Sequence, residues 1–126
     1  MGARILLMED DGVYAKLATI LITELGHTVT VTAAVEDGIR IARENPPTLI
    51  ITDVNLPGLN GFEAVGLLRR EPRLASIPVI AMTAKRIWPE EQRSAAAAGF
   101  AAYVEKPIGI DAFRALLESH LAPLGG

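Results

Sequence analysis

Five polar side chains stand where short apolar runs of the sequence end, and their types suit phosphoryl transfer. Glu9 and Asp10 follow one such run, and Asp53 ends another. Thr83 and Lys106 close two more. Carboxylates held together repel one another unless a cation lies among them. The chain has no cysteine and no histidine near these positions, so oxygen ligands and a hard ion such as Mg²⁺ are expected. A carboxylate beside Mg²⁺, with a lysine and a hydroxyl at hand, can act as the nucleophile.

The elements that must position these side chains alternate between strand and helix. Short apolar or β-branched runs predict five strands, and segments with helical spacing or helix-start signals follow each of them. The predicted strands cover residues 4–8, 28–32, 48–52, 77–82 and 100–104. This pattern predicts an α/β fold, a doubly wound, flavodoxin-like (βα)5 sandwich with a parallel five-stranded sheet. A strand order of 2-1-3-4-5 would bring the polar strand ends together at one rim.

Length and composition bound the class of protein. The 126 residues are 50% hydrophobic and 21% charged, which predicts a soluble globular domain over residues 1–122 with a short tail at 123–126. The net charge of −3 gives no reason to expect direct nucleic-acid binding, and no apolar stretch is long enough for membrane insertion. The N-terminal apolar run is too short for a signal peptide, so a cytoplasmic protein is expected.

The order and spacing of four short motifs resemble the receiver domains of two-component response regulators. The resemblance extends over essentially the whole chain and points to a stand-alone, single-domain type, or to a domain excised from a longer protein. The motifs that carry it are Glu9-Asp10-Asp11, Asp53 with Leu56-Pro57-Gly58, Met82-Thr83-Ala84, and Lys106-Pro107.

The resemblance implies a phosphorylation-dependent signalling switch. Asp53 would accept a phosphoryl group from a histidine kinase or a histidine phosphotransfer protein. Asp10 and Asp53 would ligate Mg²⁺, with Glu9 acting through water and the backbone carbonyl of Asn55 completing the protein ligands. Asn55 and Lys85 stand at positions that tune dephosphorylation. Beyond Mg²⁺-dependent self-phosphorylation from a phosphodonor and autodephosphorylation, no enzyme activity is implied.

The same resemblance assigns the response to phosphorylation. Thr83 and Lys106 would bind the phosphoryl oxygens, and the Lys106-Pro107 bond would be cis. Tyr103 matches the position of an aromatic switch that turns inward as Thr83 moves, although a half-buried core aromatic is the alternative reading. The face around the fourth helix, fifth strand and fifth helix would then control binding of a downstream protein target.

The same residues allow other interpretations. A receiver-like scaffold could bind partners without phosphorylation. An Asp-nucleophile Mg²⁺ phosphatase of the haloacid-dehalogenase type is disfavoured, because it needs a second Asp where Asn55 stands. Asp11 and Asp111 are predicted helix caps, and His27 and His120 are predicted surface residues. Trp88 is either an exposed contact or a residue that packs its loop.

Overall fold

The computed structural model of the chain describes residues 2–56, 58–84, 88–106 and 109–121. Pro57, Lys85, the Lys106-Pro107 bond and the predicted tail fall outside these ranges. Ten elements alternate along the chain: β1 (Arg4–Met8), α1 (Gly12–Glu24), β2 (Thr28–Thr32), α2 (Val35–Glu44), β3 (Leu49–Asp53), α3 (Gly61–Arg69), β4 (Val79–Thr83), α4 (Pro89–Ala98), β5 (Ala102–Glu105) and α5 (Ile110–His120). Within the described ranges, no helix is both long and apolar enough to cross a membrane.

All five strands are parallel, and their order in the sheet is β2-β1-β3-β4-β5. The predicted fold class and strand order are therefore confirmed. β1 and β2 have the predicted bounds, whereas β3, β4 and β5 begin one or two residues later than expected. The late start of β4 has a local reason, because Pro78 lacks the N–H group that a central strand must donate.

The sheet separates two hydrophobic cores. Leu6, Ile50 and Val79 face the core under α2 and α3, and Ile5 and Ile51 face the core under α1 and α5. These side chains are at most 2% exposed. Strands buried on both faces explain the unbroken apolar runs of the sequence. The carboxyl ends of all five strands consequently meet at one rim.

The ends of the helices follow ordinary capping chemistry, with one correction to the sequence analysis. Asp11 caps α1 as predicted, since its carboxylate accepts the backbone N–H groups of Val13 and Tyr14 at 2.9 and 3.3 Å. Asp111 does not cap α5. Gly109 holds that position, and Asp111 lies in the first turn, where its charge complements the helix dipole.

The apolar repeat of α1 lies mostly on its outer side. Val13, Leu17 and Ile20 are 77%, 44% and 49% exposed, whereas Ala18 and Ile22 are the buried residues of this helix. The helical spacing predicted the element correctly but did not mark the side that packs on the sheet. The result is an exposed apolar row that begins beside the carboxyl rim.

Arg69, at the end of α3, joins this helix to the segment before β4 and to the end of α4. Its guanidinium donates to the backbone carbonyls of Ala75 and Ile77 before β4, at 2.8 and 2.9 Å, and to that of Gly99 after α4, at 2.8 Å. Burial lowers the pKa of Arg69. Gly99 ends α4 with a φ of 115°, a left-handed conformation that favours glycine. Arg69 therefore fixes the C-terminal end of α4 relative to α3.

Candidate functional site

The acidic residues meet because β1 and β3 are neighbours in register. Met8 lies opposite Thr52, so Glu9 and Asp53 follow side by side. Glu9, Asp10 and Asp53 each offer one carboxylate oxygen, and these three atoms all lie within 4.8 Å of one another. Asp10 is exposed, whereas Glu9 is only 5% exposed. Three carboxylates this close form a donor set that suits a hard divalent cation.

Lys106 reaches this acidic cluster from the far side of β4. Its ammonium group donates to Asp53 Oδ2 at 2.6 Å and also to Glu9 Oε1. The Lys106 side chain is 3% exposed, and its Nζ lies 4.5 Å from the centroid of the Tyr14 ring. The backbone N–H of Lys106 donates to the carbonyl of Thr83 at 2.7 Å, which anchors the residue to the end of β4.

Burial and charge oppose one another in this cluster. Burial raises the pKa of the Glu9 carboxyl above its ordinary value, although the hydrogen bond from Lys106 acts in the other direction. For Lys106, burial alone would lower the pKa, but hydrogen bonds to Asp53 and Glu9 outweigh it and the pKa is raised. One buried ammonium group therefore pairs with two carboxylates, and the negative charge of Glu9 is only partly compensated.

The carboxylate of Asp53 is held by a different donor at each oxygen. Oδ1 accepts the backbone N–H of Asn55 at 2.7 Å, and Oδ2 accepts the ammonium of Lys106. Asp53 is half-buried, whereas Asn55 is exposed beside it. The carboxylate is thus fixed between these two donors, and 12% of the Asp53 side chain is exposed.

Thr83 and Tyr103 lie on the strands beyond Asp53. Asp53 pairs in register with Met82, so Thr83 is the next residue along the neighbouring strand, and it is 1% exposed. Tyr103 is half-buried, and its ring lies 6.4 Å from that of Phe100 and 6.2 Å from that of Phe62. Burial raises the pKa of Tyr103, and the charges of Glu91 and Asp53 raise it further.

The structure brings together the acidic residues and the lysine that the sequence singled out. Sequence reasoning missed the direct contacts of Lys106 with Glu9 and with the ring of Tyr14. The first contact depends on the conformation of the Lys106 side chain, and the second also depends on how α1 packs. His27 and His120 are partly buried rather than fully exposed, and each has a backbone hydrogen-bond partner within 2.9 Å. Trp88, at the start of α4, is 54% exposed.

The strand order and the acidic rim define the class of protein, a flavodoxin-like fold with a candidate metal site at its carboxyl edge. The family described as response regulator receiver domain matches residues 5–118, and the chain belongs to this family. Such receiver domains function in two-component signal transduction, are not classical enzymes and bind Mg²⁺ at an acidic pocket. They interact with histidine kinases and downstream targets.

Two curated relatives are similar to this chain over different shares of its length. It is 33% identical over 121 residues to the polar-differentiation response regulator DivK of Brucella ovis, which covers 96% of this chain and 98% of DivK. It is 41% identical over 81 residues to the transcriptional regulatory protein AfsQ1 of Streptomyces coelicolor. That match covers 64% of this chain but only 35% of AfsQ1.

Solved receiver structures are similar to this chain over nearly its whole length. The receiver domain of the sensor histidine kinase PA1611 from Pseudomonas aeruginosa, which holds a magnesium ion in its active-site cleft, superposes with a TM-score of 0.85 at 28% identity. The match covers 95% of this chain and 98% of that one. The chemotaxis protein CheY4 of Vibrio cholerae superposes with a TM-score of 0.89 at 23% identity, and the match covers 96% of this chain and 100% of CheY4. At this identity the similarity supports the fold alone.

Proposed function

We propose that this protein is a phosphorylation-dependent signalling switch in which Asp53 is the phosphoacceptor. The donor would be a phosphohistidine of a histidine kinase or of a histidine phosphotransfer protein. The observation that carries the proposal is the arrangement around Asp53, whose carboxylate lies between the acidic cluster with Glu9 and Asp10 and the ammonium of Lys106. Burying charged groups is costly, and titratable groups held together in this way cluster at functional sites.

The chain's own groups fit each part of the transfer. One carboxylate oxygen of Asp53 attacks phosphorus while the phosphorus–nitrogen bond breaks, and its electron pair returns to the imidazole of the donor. Lys106, and Thr83 at the end of β4, would bind the oxygens of the transferred group. A Mg²⁺ ion held by Glu9 through water, by Asp10 and Asp53, and by the carbonyl of Asn55, would supply the positive charge that phosphoryl transfer needs.

A phosphodonor protein has an apolar surface to contact next to this rim. Val13 of α1 stands two residues after Asp11, and Leu17 and Ile20 continue the exposed row along the helix. Exposed apolar rows of this kind favour contact with another protein. We assign the outer side of α1 to the donor, so that the donor and the downstream target use different faces.

The downstream target would bind the face formed by α4, β5 and α5. The phosphoryl group adds charge at Asp53, and Thr83 and Tyr103 would respond by moving toward the rim. Tyr103 is suited to transmit this change because its hydroxyl is subject to the charge of Asp53 and its ring packs on Phe62 and Phe100. The receiver unit would be residues 1–122, acting in the cytoplasm without direct contact to nucleic acid or membrane.

Intact-mass measurement tests the proposal. The protein is incubated with Mg²⁺ and acetyl phosphate or phosphoramidate, and a single phosphoryl adduct is expected that Asp53→Asn abolishes. Glu36→Gln, an exposed carboxylate of α2, is the matched control and should keep the adduct. No adduct with any donor would refute the switch and favour a scaffold that works without phosphorylation. Repeated turnover of a small phosphate ester would instead indicate a phosphatase.

A further inference from the structure

One outer edge of the sheet is formed by β2, which pairs with β1 on its inner side. In the part of the chain that the structure describes, no further strand pairs with this edge. Thr30 and Val31 are exposed there. Val31 is 42% exposed, whereas Leu7, its partner on β1, is 2% exposed. The edge of such a strand offers backbone groups to which another strand can bind.

The backbone groups that face outward at this edge belong to the two valines of β2. The N–H of Thr28 donates to the carbonyl of Ala3 at 3.0 Å, and the carbonyl of Thr32 accepts the backbone N–H of the residue after β1 at 2.9 Å. These bonds direct the backbone groups of the threonines toward β1. Because successive residues of a strand direct these groups to opposite sides, the N–H and carbonyl groups of Val29 and Val31 point away from the sheet.

β2 lacks the features that usually keep an edge strand from pairing. Its sequence, Thr-Val-Thr-Val-Thr over residues 28–32, contains no charged residue, proline or glycine. The opposite edge strand, β5, includes Glu105. Thr28 and Thr30 remain exposed beside a cleft of about 70 Å³ that Ile41 of α2 also lines, so this helix leaves the edge open.

The sequence of β2 reads the same in both directions. An antiparallel copy of the strand, in register over its whole length, would therefore place threonine opposite threonine and valine opposite valine. Thr30 would lie opposite Thr30 of the second copy, and Val29 opposite Val31. Each of the two Val29–Val31 pairs would exchange two N–H···O bonds, which uses all the outward groups of the strand. Threonine hydroxyls opposite one another can hydrogen-bond across the strands, and no like charges meet.

We propose that β2 pairs with β2 of a second copy of this chain and joins the two five-stranded sheets into one. The contact is two-fold symmetric, because the same strand supplies both sides. The palindromic sequence favours a second copy over a strand of another protein, since every pair of side chains is then matched. Antiparallel strands direct the two carboxyl rims in opposite directions, and β1 separates β2 from β3 with Asp53. The contact therefore does not depend on the proposed phosphorylation.

Cross-linking through single cysteines tests the register. The chain contains no cysteine, so an introduced thiol can form a disulfide only with the same residue of a second copy. Thr30→Cys should form a linked dimer with diamide, because the Cα atoms of such an opposed pair lie about 4.5 Å apart. Thr28→Cys, at an exposed threonine on the same side of the strand, is the matched control. It would lie about 13 Å from its counterpart and should not be linked. Equal cross-linking rates of the two variants would overturn the inference.

Charges at the same position test the two-fold contact in solution. The unmodified protein at about 0.1–1 mM should show a reversible monomer–dimer equilibrium in sedimentation, as expected of a small contact. Thr30→Lys and Thr30→Glu each place two like charges opposite one another and should weaken the dimer by about fivefold or more, whereas an equimolar mixture of the two should restore it. Thr23→Lys, at an exposed threonine of α1, should change nothing. A protein that stays monomeric, or a dimer that both variants of Thr30 leave intact, would refute the pairing.

Measurements with and without a phosphodonor separate this inference from the proposed function. Mg²⁺ and acetyl phosphate should leave the dimer and the Thr30→Cys cross-link unchanged, and so should Asp53→Asn. A dimer that forms only after phosphorylation and that Thr30→Lys leaves intact would place the contact on another face and contradict the inference. A β2-linked dimer in a protein that never forms a phosphoryl adduct supports the strand pairing and refutes the switch.

Discussion

Replacing Lys106 with Met should make the protein bind Mg²⁺ more tightly and yet destabilise it when the ion is absent. The ammonium group of Lys106 lies 2.6 Å from Asp53 Oδ2 and also donates to Glu9, so its charge occupies the acidic cluster proposed to hold the ion. Met has a similar length and no charge, and its thioether can keep the contact with the ring of Tyr14.

The magnitude follows from Coulomb's law. A divalent ion and an ammonium group about 5 Å apart repel by about 1.7 kcal/mol even in a medium as polar as water. This repulsion corresponds to a roughly fifteen-fold lower dissociation constant for Mg²⁺ in the variant. The stability of the ion-free protein should fall, although its affinity for Mg²⁺ rises. Without Lys106, the carboxylate of Glu9 is buried without a cation, which costs about 3 kcal/mol and lowers the Tm by about 10 °C.

Calorimetric titration with Mg²⁺ and thermal denaturation with and without the ion measure both effects. Saturating Mg²⁺ should restore most of the lost Tm, because the ion then compensates Glu9 and Asp53. Lys16→Met, at an exposed position of α1, is the control and should change neither quantity. Unchanged or weaker Mg²⁺ binding by Lys106→Met would refute the reasoning, since the ammonium group would then not share the cluster with the ion.

Two further predictions use matched neighbouring positions. Gly61→Ala should destabilise the fold by about 1–3 kcal/mol in chemical denaturation, because a Cβ at this position would lie 2.9 Å from the Cα of Val54. Gly66→Ala should instead stabilise α3 by about 0.5–1 kcal/mol, because its Cβ would meet nothing within 4 Å. A loss of stability in both variants would contradict this account of α3. Arg69→Met should cost about 2–3 kcal/mol, because three carbonyl oxygens lose their donor, and the exposed Arg70→Met should cost less than about 0.5 kcal/mol. Equal midpoints of thermal denaturation for these two arginine variants would show that Arg69 does not join the elements.

Most of the fold could be predicted from the sequence, because apolar strand runs and the residues that begin and end helices are local signals. Runs such as residues 49–51 are apolar throughout because the sheet is covered on both faces. Gly99 and Asp11 mark helix ends through their own backbone and side-chain chemistry. The outer side of α1 could not be predicted in this way, because its exposed side, with Val13 and Leu17, is as apolar as a buried one.

The candidate site was predictable to the extent that it follows from strand order. Glu9, Asp53 and Lys106 each follow or end a strand, and a parallel sheet brings such ends to one rim. Their pairing was not predictable, because the reach of Lys106 over the end of β4 depends on side-chain conformation. The three hydrogen bonds of Arg69 were missed for a similar reason, since their acceptors are carbonyl groups as far as 30 residues away in sequence.

The contact between Lys106 and Glu9 joins residues that are 97 positions apart in the chain. Closing so long a loop is entropically unfavourable, and contacts between residues this far apart in sequence slow folding. Until the last strand docks, the carboxylates at the rim repel one another without an internal counter-ion. The pairing of charges at the rim therefore depends on the docking of β5, the last strand of the sheet. If Asp53 is the phosphoacceptor, as proposed, a chain in which β5 has not joined the sheet would lack the ammonium group that contacts its carboxylate.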